Sequence, residues 1–521
     1  MRISTAQFYE SSATSYTSNF ANLMKVKQQI DTGVRIQSAG DDPVGAARLL
    51  LLQQQQALLK QYDSNMTTVN NSLLQEESVL ATINDAMQRA SDLAIRAGGA
   101  GVSAADRTSI SSELKEIEAN IFGLLNSRDA NGDYMFGGTK TSSPPYVRNA
   151  DGSYSYQGDQ TQLSLQVSDT LKLATNDTGF SVFDSAKNKS RTESALVAPT
   201  VDDGRVSVSP GLLTSSSAYN SNFSAGQPYK VTFTSATQYS VTDALGNDIT
   251  AETPTNGTYD SKAEGGNRIA FRGVEFEITL SLKEGDDDPD AVVAGHEFSL
   301  QARPDTLTTV RGAGNPSGAQ VTGGAVTDQA VYRSTFPDSG AVIKFTGANT
   351  YELYAQPLTA DSKVVASGTF TAPSLTVAGV TYQVAGVPQT GDQFAVNANT
   401  HQNQSVLETI SQLRTALDAP GTGDAGNIAL KNSIASAVAN LASAREQVDI
   451  TRGSIGARGN SLDIQRQENT SLTTANKVTQ DAIGNTDMAD ASIMLALHQA
   501  MLQASQLSFT QISKLSLFNQ M

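Results

Sequence analysis

The sequence contains no cysteine and no tryptophan, and it has only three histidines in 521 residues. Without cysteine the chain cannot form disulfide bonds, thiolate zinc sites, iron–sulfur clusters or cysteine nucleophiles. His296, His401 and His498 are far apart in the sequence, so no pair has the close helical spacing at which two histidines bind one metal ion. We therefore expect no catalytic residue, no metal site and no cofactor, and we predict that the protein is not an enzyme.

Three short segments have a superficial likeness to ligand-binding loops. Residues 129–133 begin like a calcium loop, but Gly132 is the fourth residue rather than the sixth, and Lys140 stands where the twelfth should be glutamate. The glycine-rich residues 312–318 include a proline and lack the strand–turn–helix context of a phosphate loop. We interpret the first as a turn and the second as a linker. The acidic residues 284–290 are interpreted as a solvated turn, with a weak cation site as the alternative.

Positive charge is also scarce. There are 36 Lys and Arg against 52 Asp and Glu, which gives a net charge of −16. This balance argues against binding to nucleic acid and to anionic membrane surfaces. Residues 1–7 lack the apolar stretch of a secretory signal, and the apolar run at residues 49–52 is far too short to span a membrane. If the protein leaves the cell, we expect export without a cleaved signal peptide.

The clearest periodic pattern covers residues 44 to about 97. Apolar residues alternate at spacings of three and four for more than five heptads, with Glu76 as the main polar exception. This pattern predicts a coiled-coil helix about 75 Å long. Ser103 and Asp106 predict a capping box that starts a second, antiparallel helix. A matching frame runs from Leu430 to Leu472 and becomes polar toward its end.

The sequence patterns at both ends of the chain therefore predict helices. The middle has the short alternating runs and polar turns that are typical of antiparallel β structure. The fold class is α+β, with long antiparallel coiled-coil helices from both termini in a rod-like bundle and inserted β domains. Phe233-Thr234 followed by Tyr239 is repeated as Phe345-Thr346 followed by Tyr351, which indicates two related β modules. The predicted domains are 1–43 with 478–521 (terminal assembly helices), 44–145 with 401–477 (helical bundle), 146–200 with 311–400 (β-rich) and 201–310 (second β-rich repeat).

The C-terminal helix is apolar on nearly every side, and Lys514 is its only formally charged residue after Asp490. A helix of this kind must be buried on several sides, and two terminal helices of one chain cannot cover it. We therefore predict that the termini bury themselves against other subunits. The candidate interface residues on this helix are Leu495, Leu497, Met501, Leu502, Leu507, Phe509, Ile512, Leu515 and Phe518.

Four segments resemble the bacterial flagellin superfamily. They are residues 1–5, the stretch Gly33–Ala47, residues 131–141, and the C-terminal segment that starts with residues 485–491 and ends with 515–521. Within the superfamily, the run Asn-Gly-Asp-Tyr-Met-Phe-Gly-Gly in the third segment is similar to the hook–filament junction family, hook-associated protein 3. The resemblance covers about 150 residues at the N-terminus and about 120 at the C-terminus. It places Arg35, Ile36, Asp41 and Asp42 in the assembly region.

The resemblance implies a structural role in an extracellular flagellum. A ring of copies would join the hook, through the first junction protein, to the flagellin filament by means of the terminal helices. The implied partners are further copies of the chain, that first junction protein, flagellin, a cytosolic export chaperone and the type III export apparatus. No nucleic acid, membrane, metal or cofactor is implied.

Two other functions remain open at this point. The first is a flagellin, the filament subunit itself; Pro43, where flagellins usually carry alanine, and the run at residues 131–140 favour the junction family instead. The second is a secreted adhesin or glycan-binding protein, which the β-rich middle would support. That second hypothesis does not explain why the ends are apolar.

Overall fold

The computed structural model describes residues 5–99, 101–149, 152–260 and 266–518, without the side chains of residues 5, 6, 8, 9, 509 and 512–518. The helices are α1 (Thr5–Thr32), α2 (Pro43–Ala97), α3 (Ala104–Leu125), α4 (Ser216–Ala218), α5 (Ser224–Gly226), α6 (Pro289–Val293), α7 (Gln329–Thr335), α8 (Val406–Asp418), α9 (Gly423–Gly484) and α10 (Met488–Phe518). Within the described ranges, no helix combines the length and apolarity needed to cross a bilayer.

All the strands lie between α3 and α8. They are β1 (Tyr146–Arg148), β2 (Tyr154–Tyr156), β3 (Ser164–Gln166), β4 (Lys172–Ala174), β5 (Thr192–Ala198), β6 (Val206–Val208), β7 (Leu212–Leu213), β8 (Tyr229–Ser235), β9 (Gln238–Thr242), β10 (Asn267–Phe271), β11 (Val274–Leu280), β12 (Glu297–Ala302), β13 (Thr306–Arg311), β14 (Gln320–Val326), β15 (Ala341–Phe345), β16 (Thr350–Ala355), β17 (Val364–Thr369), β18 (Ser374–Val377), β19 (Val380–Ala385) and β20 (Gln393–Asn399). Each pairing between them is antiparallel. The α+β class predicted from the sequence is confirmed.

The chain divides into two compact units. The terminal unit contains residues 1–74, 163–175 and 455–521, and the central unit contains residues 75–162 and 176–454. Helices α2 and α9 each contribute one half to the terminal unit and the other half to the central unit.

Helices α2 and α9 pair antiparallel, as the two heptad frames predict. Leu80, Ile83 and Met87 of α2 are fully buried, and so are Leu441 and Val448 of α9. The frame in α9 departs from the prediction at one point: Leu472 is 43% exposed, whereas Asn469 and Asn476 are buried. The two buried asparagines are seven residues apart and lie on the side of α9 that meets α2. Leu472, which lies between them in the sequence, faces away from α2.

The predicted capping box at the start of α3 is present. The Ser103 hydroxyl accepts a hydrogen bond from the Asp106 amide, and the Asp106 carboxylate accepts one from the Ser103 amide. Helix α3 packs against α8, where Glu118 is buried and forms an ion pair with Arg414 at 2.5 Å. The Tyr154 hydroxyl donates a second hydrogen bond to Glu118 at 2.6 Å. The burial of the Tyr154 ring and this carboxylate together raise the pKa of Tyr154 to about 12.

The same succession of strands occurs twice in the central unit. One sheet has the order β5-β12-β8-β9, and the eight-stranded sheet contains the equivalent order β13-β20-β15-β16. Phe233 lies opposite Tyr239 in the first hairpin, and Phe345 lies opposite Tyr351 in the second. In each copy the phenylalanine meets a second phenylalanine edge-on, Phe298 at 6.1 Å and Phe394 at 5.9 Å between ring centroids.

A second hairpin is also repeated, β10–β11 in one copy and β18–β19 in the other. Both turns have two residues with positive φ, Arg272-Gly273 and Ala378-Gly379, which is the tight turn whose twist matches a hairpin. A Cβ atom on either glycine would meet the backbone of a helical segment earlier in the chain, at Tyr219 in one copy and Tyr332 in the other. Each hairpin turn therefore packs closely on the backbone of a short helical segment.

Candidate assembly surface

Residues 33–45 form the joint between α1 and α2. The Arg35 guanidinium donates from Nε (3.0 Å) and Nη2 (2.7 Å) to the carbonyl of Ile483, near the end of α9. The backbone adds two more bonds, from the Arg35 amide to Gly484 at 2.7 Å and from the Thr486 amide to Gly33 at 2.9 Å. These contacts tie the α1–α2 connection to the α9–α10 connection.

The two aspartates of this joint organise its turn. Asp41 accepts hydrogen bonds from the backbone amides of Gln37 (3.2 Å) and Ser38 (2.9 Å) and pairs with Lys25 at 2.7 Å. The hydrogen bond from Lys25, with those from Ser38 and Gln37, lowers the pKa of Asp41 to about 2. Asp42 accepts from the Gly45 amide at 2.8 Å and so caps α2, which lowers its pKa.

Ile36 is buried beside Gly45, where a Cβ atom would come within 2.6 Å of the isoleucine Cδ1. Arg35, Ile36, Asp41 and Asp42 are thus brought together by the structure, and every one of them contacts its own chain. The four residues hold the terminal helices in place.

Helices α1 and α10 pair antiparallel along a seam of half-buried residues. The Asn19 amide donates to the Ser505 hydroxyl at 3.2 Å, and the Gln506 amide donates to the Tyr16 hydroxyl at 3.4 Å. Leu495 and Leu502 of α10 lie on this seam and are half-buried. The pairing therefore covers only one side of α10.

The other candidate residues of α10 face away from α1. Leu497 is 45% exposed, Met501 is 43% exposed and Leu507 is 64% exposed, although all three are large apolar side chains. Ile493 and Met494, which precede them, are exposed as well. Phe509, Ile512, Leu515 and Phe518 were predicted to share this surface, and their side chains lie outside the described residues.

Exposed apolar residues also occur on the terminal-unit halves of α2 and α9, which the sequence patterns did not indicate. The exposed apolar residues there are Val44, Leu50, Leu51, Leu58, Leu74, Ile464, Leu472 and Val478. One signal was available, because four consecutive apolar residues at 49–52 cannot all face the same side of a helix. We name the exposed apolar residues of α2, α9 and α10 in the terminal unit the terminal apolar face.

The inside of the same helix pair contains polar side chains beside a buried apolar core. The side-chain amide of Asn469 donates to the Leu59 carbonyl at 2.9 Å, and that of Asn476 donates to the Leu52 carbonyl at 3.0 Å. The Arg466 guanidinium donates to the Met66 carbonyl at 3.4 Å. Polar side chains of α9 thus bond the backbone of α2 inside the pair, while the residues of the terminal apolar face remain exposed.

The loops that failed as ligand motifs have structural roles in the central unit. The Asp129 carboxylate accepts hydrogen bonds from the amides of Asn131 and Asp133, which closes the predicted turn. In the acidic run, Asp286 pairs with Arg205 at 2.9 Å and Asp288 caps α6. Among the residues that the structure describes, no group of three or more metal-ligating side chains is close enough to hold an ion.

Parts of the sequence are similar to those of known flagellar proteins. Residues 3–141 match the family model of the bacterial flagellin N-terminal helical region. Flagellar hook-associated protein 3 of Salmonella typhimurium is 32% identical over 185 residues, which are 36% of this chain and 57% of that protein. The Escherichia coli K12 protein of the same name is 28% identical over 193 residues, 37% of this chain and 60% of that protein. The chain thus spans less than two thirds of the length of these relatives.

The fold is similar to that of a solved structure over a longer range. The crystal structure of hook-associated protein 3 from Legionella pneumophila superposes with a TM-score of 0.52 at 20% identity, covering 83% of this chain and 98% of that one. The sequence matches arise from part of the chain, whereas the structural match includes most of it. In part of its sequence, and by fold over most of its length, the chain resembles flagellar hook-associated protein 3 of the bacterial flagellin superfamily.

Proposed function

We propose that the protein is a structural component of the bacterial flagellum and forms an adapter ring at the hook–filament junction, outside the cell. Its neighbours would be further copies of itself, the first hook–filament junction protein and flagellin. Before assembly, an export chaperone would cover the C-terminal helix, and the type III export apparatus would secrete the chain. The role is assembly, with no catalytic step.

The observation that carries this proposal is the terminal apolar face. Burying apolar surface contributes roughly 25 cal/mol per Å², so a surface that carries this many exposed leucines and methionines is stabilised once a neighbour covers it. Many exposed large apolar side chains in one unit of a protein favour a protein–protein contact. The names of the two relatives, flagellar hook-associated protein 3, point to the hook as the site of assembly.

The experiment is complementation of a strain that lacks the gene with the variant Leu497→Asp. A carboxylate placed at a contact between subunits that excludes water weakens the affinity of that contact several-fold to many-fold. We therefore expect loss of motility and release of flagellin monomers into the medium. Gln499→Asp is the matched control, since it places the same charge at an already polar, exposed position of α10. Full motility of the Leu497→Asp strain would contradict the proposal.

A second candidate function is the filament subunit itself, and the match of residues 3–141 to the flagellin helical model favours it. The deletion strain distinguishes the two. A junction protein is needed before the filament can grow, so its loss leaves flagellin to be secreted as monomers. Loss of the filament subunit leaves no flagellin in the medium, and quantitative mass spectrometry of the medium measures the difference.

A further inference from the structure

The central unit contains a polar cleft that the assembly role does not use. Its volume is about 780 Å³, within the range of small-molecule sites in proteins. The aromatic rings of Tyr154, Tyr156 and Phe180 are among the residues that line it, and we call these three rings the aromatic wall. Arg303, His401 and several side-chain amides, among them that of Asn188, also line the cleft.

The aromatic wall is rigid because its tyrosine hydroxyls are already bonded to the chain. The Tyr154 hydroxyl donates to Glu118 at 2.6 Å, and the Tyr156 hydroxyl donates to the Phe136 carbonyl at 2.9 Å. The Tyr146 and Tyr156 rings lie 5.3 Å apart between centroids. A Cβ atom on Gly179 would lie 2.8 Å from Tyr146 and 2.9 Å from Tyr156, so the rings pack closely on its backbone. The half-buried rings therefore offer fixed flat faces, rather than free hydroxyls, to the cleft.

Two segments that contribute lining residues to the cleft are bonded to each other. The backbone amide of Asn188 donates to the Gln402 carbonyl at 3.0 Å, and the backbone amide of Gln404 donates to the Ala186 carbonyl at 3.0 Å. The Arg191 guanidinium donates to the same Gln402 carbonyl at 2.6 Å. His401, between these contacts, has a φ of 53°, and its Nε2 atom is buried without a hydrogen-bond partner.

Arg303 supplies a positive charge to the lining of this cleft. Its backbone amide donates to Arg191, but among the described residues its guanidinium has no ion-pair partner. The two carboxyl groups that line the cleft are occupied elsewhere. Asp184 accepts from the Tyr146 hydroxyl at 3.0 Å, and Glu408 accepts from the Gln412 amide at 2.9 Å. Burial raises the pKa of Asp184 to about 7, so near neutral pH much of this group is uncharged and repels an anion little.

We propose that the cleft binds an acidic saccharide of about two sugar units, with a sugar face on the aromatic wall and the sugar carboxylate on Arg303. Flat ring faces, several amides and one guanidinium fit that chemistry. Apolar sugar faces pack on aromatic rings, amides pair with hydroxyls, and a guanidinium binds a carboxylate through two parallel hydrogen bonds. A phosphate group is favoured less, because Arg303 is the only Arg or Lys among the residues that line the cleft.

The experiment measures binding of digalacturonate to the purified full-length chain by isothermal titration calorimetry and saturation-transfer NMR. Cellobiose, a neutral disaccharide, and adenosine monophosphate, an aromatic phosphate, are the comparison probes. We expect digalacturonate to bind about tenfold more tightly than cellobiose, since one charge-assisted pair is worth that much. No binding of digalacturonate, or equal binding of cellobiose, would overturn the proposal, and tighter binding of the nucleotide would reassign the cleft.

Substitutions locate the binding. Arg303→Gln should weaken digalacturonate binding about tenfold and leave cellobiose unchanged. Tyr156→Phe keeps the ring and should bind normally, because the hydroxyl bonds only the chain. Arg48→Gln is the matched control, an exposed arginine of α2 in the other unit. If Arg303→Gln binds like the wild type while its melting temperature is unchanged, the proposed site is wrong whatever the outcome of the assembly experiment.

Discussion

The two halves of the α2–α9 helix pair differ in how much apolar surface they expose. In the central unit Leu80 and Leu441 are fully buried, and few large apolar residues of the pair are exposed. In the terminal unit Met66 and Leu462 are also fully buried beside the amide of Asn469, but leucines such as Leu51, 66% exposed, lie outside. Both halves thus have an apolar core, and the terminal half in addition carries apolar surface that its own chain leaves uncovered.

The difference teaches that exposure of apolar residues, rather than their number, separates the half that its own chain covers from the half that we propose to assemble with neighbours. Asparagines that bond the backbone of a facing helix fix one register with little net free energy, because each hydrogen bond replaces one to water. The exposed apolar residues of the terminal half remain available for the proposed contacts with neighbouring subunits. Five changes would break or sharpen this contrast.

The largest effect is expected from Leu80→Ala in the central half. The side chain is fully buried, so its truncation leaves a cavity and costs about 2–5 kcal/mol. Urea unfolding followed by circular dichroism measures the loss. A destabilisation under about 1 kcal/mol would mean that the apolar interior does not stabilise the central half in this way.

The next largest effect is a dependence of stability on pH, with opposite signs in the two units. In the central unit, burial raises the pKa of Asp184 from 3.8 to about 7, so the folded state holds a proton that the unfolded chain has released. Stability of this unit should therefore fall as the pH rises from about 4 through 7. Melting temperatures across this range, with Asp184→Asn as the variant that removes the slope, test this. An unchanged slope in Asp184→Asn would assign the effect to other groups.

Asn469→Ala in the terminal half should cost less than Leu80→Ala. It removes one hydrogen bond to the Leu59 carbonyl, worth about 1 kcal/mol. Hydrogen exchange of the amides in residues 52–66 reports the loss locally. Thr470→Ala, at an exposed neighbouring position, is the control. A cost equal to that of Leu80→Ala would mean that this polar contact of the terminal half stabilises the chain as much as an apolar core residue of the central half.

The joint at residues 33–45 should weaken in acid. Hydrogen bonds from Lys25, Ser38 and Gln37 lower the pKa of Asp41 from 3.8 to about 2. A depressed carboxyl pKa gives stability that is present above about pH 4 and is lost as the pH falls toward 2. The protection factor of the Ser38 amide, which is its exchange rate relative to the intrinsic rate at the same pH, should therefore fall over that interval, and Asp41→Asn should abolish the dependence. Protection that persists at pH 2 in the wild type would contradict the assignment.

The smallest effect on the isolated chain is expected from Leu58→Ala. This leucine of the terminal apolar face is 47% exposed, so its truncation should change the free energy of unfolding by less than about 0.5 kcal/mol. In contrast, motility of the complemented strain should decrease, because the residue lies on the proposed contact surface. A large loss of monomer stability with normal motility would reverse the interpretation of this face.

Much of the helical part was predictable from the sequence. The heptad frames predicted the buried residues of α2, and Ser103 with Asp106 predicted the capping box, because these signals are local in the chain. Leu472 was misplaced because a fading heptad frame does not show which side of a helix meets its partner. The exposure of Leu50 and Leu58 was missed for the same reason, since a leucine looks alike in sequence whether a core or a neighbour covers it.

The candidate site was predictable only in part. The apolar character of α10 follows from composition, whereas the inward contacts of Arg35 and Asp41 do not. Their partners, Ile483 and Lys25, come from the opposite end of the chain and from the preceding helix. The limits of the four predicted domains, and the roles of the candidate interface residues, stay predictions.

By itself, the sequence determined the long helices, the repeated phenylalanine and tyrosine pattern of two β modules, and the absence of cysteine chemistry. Each of these depends on periodicity or composition, which are properties of short stretches. Only the tertiary structure decided which apolar residues remain uncovered, and which charges, such as that of Arg303, remain unpaired in a cleft. Those outcomes depend on pairs of residues hundreds of positions apart, and their contact free energies exist only when the chain is folded.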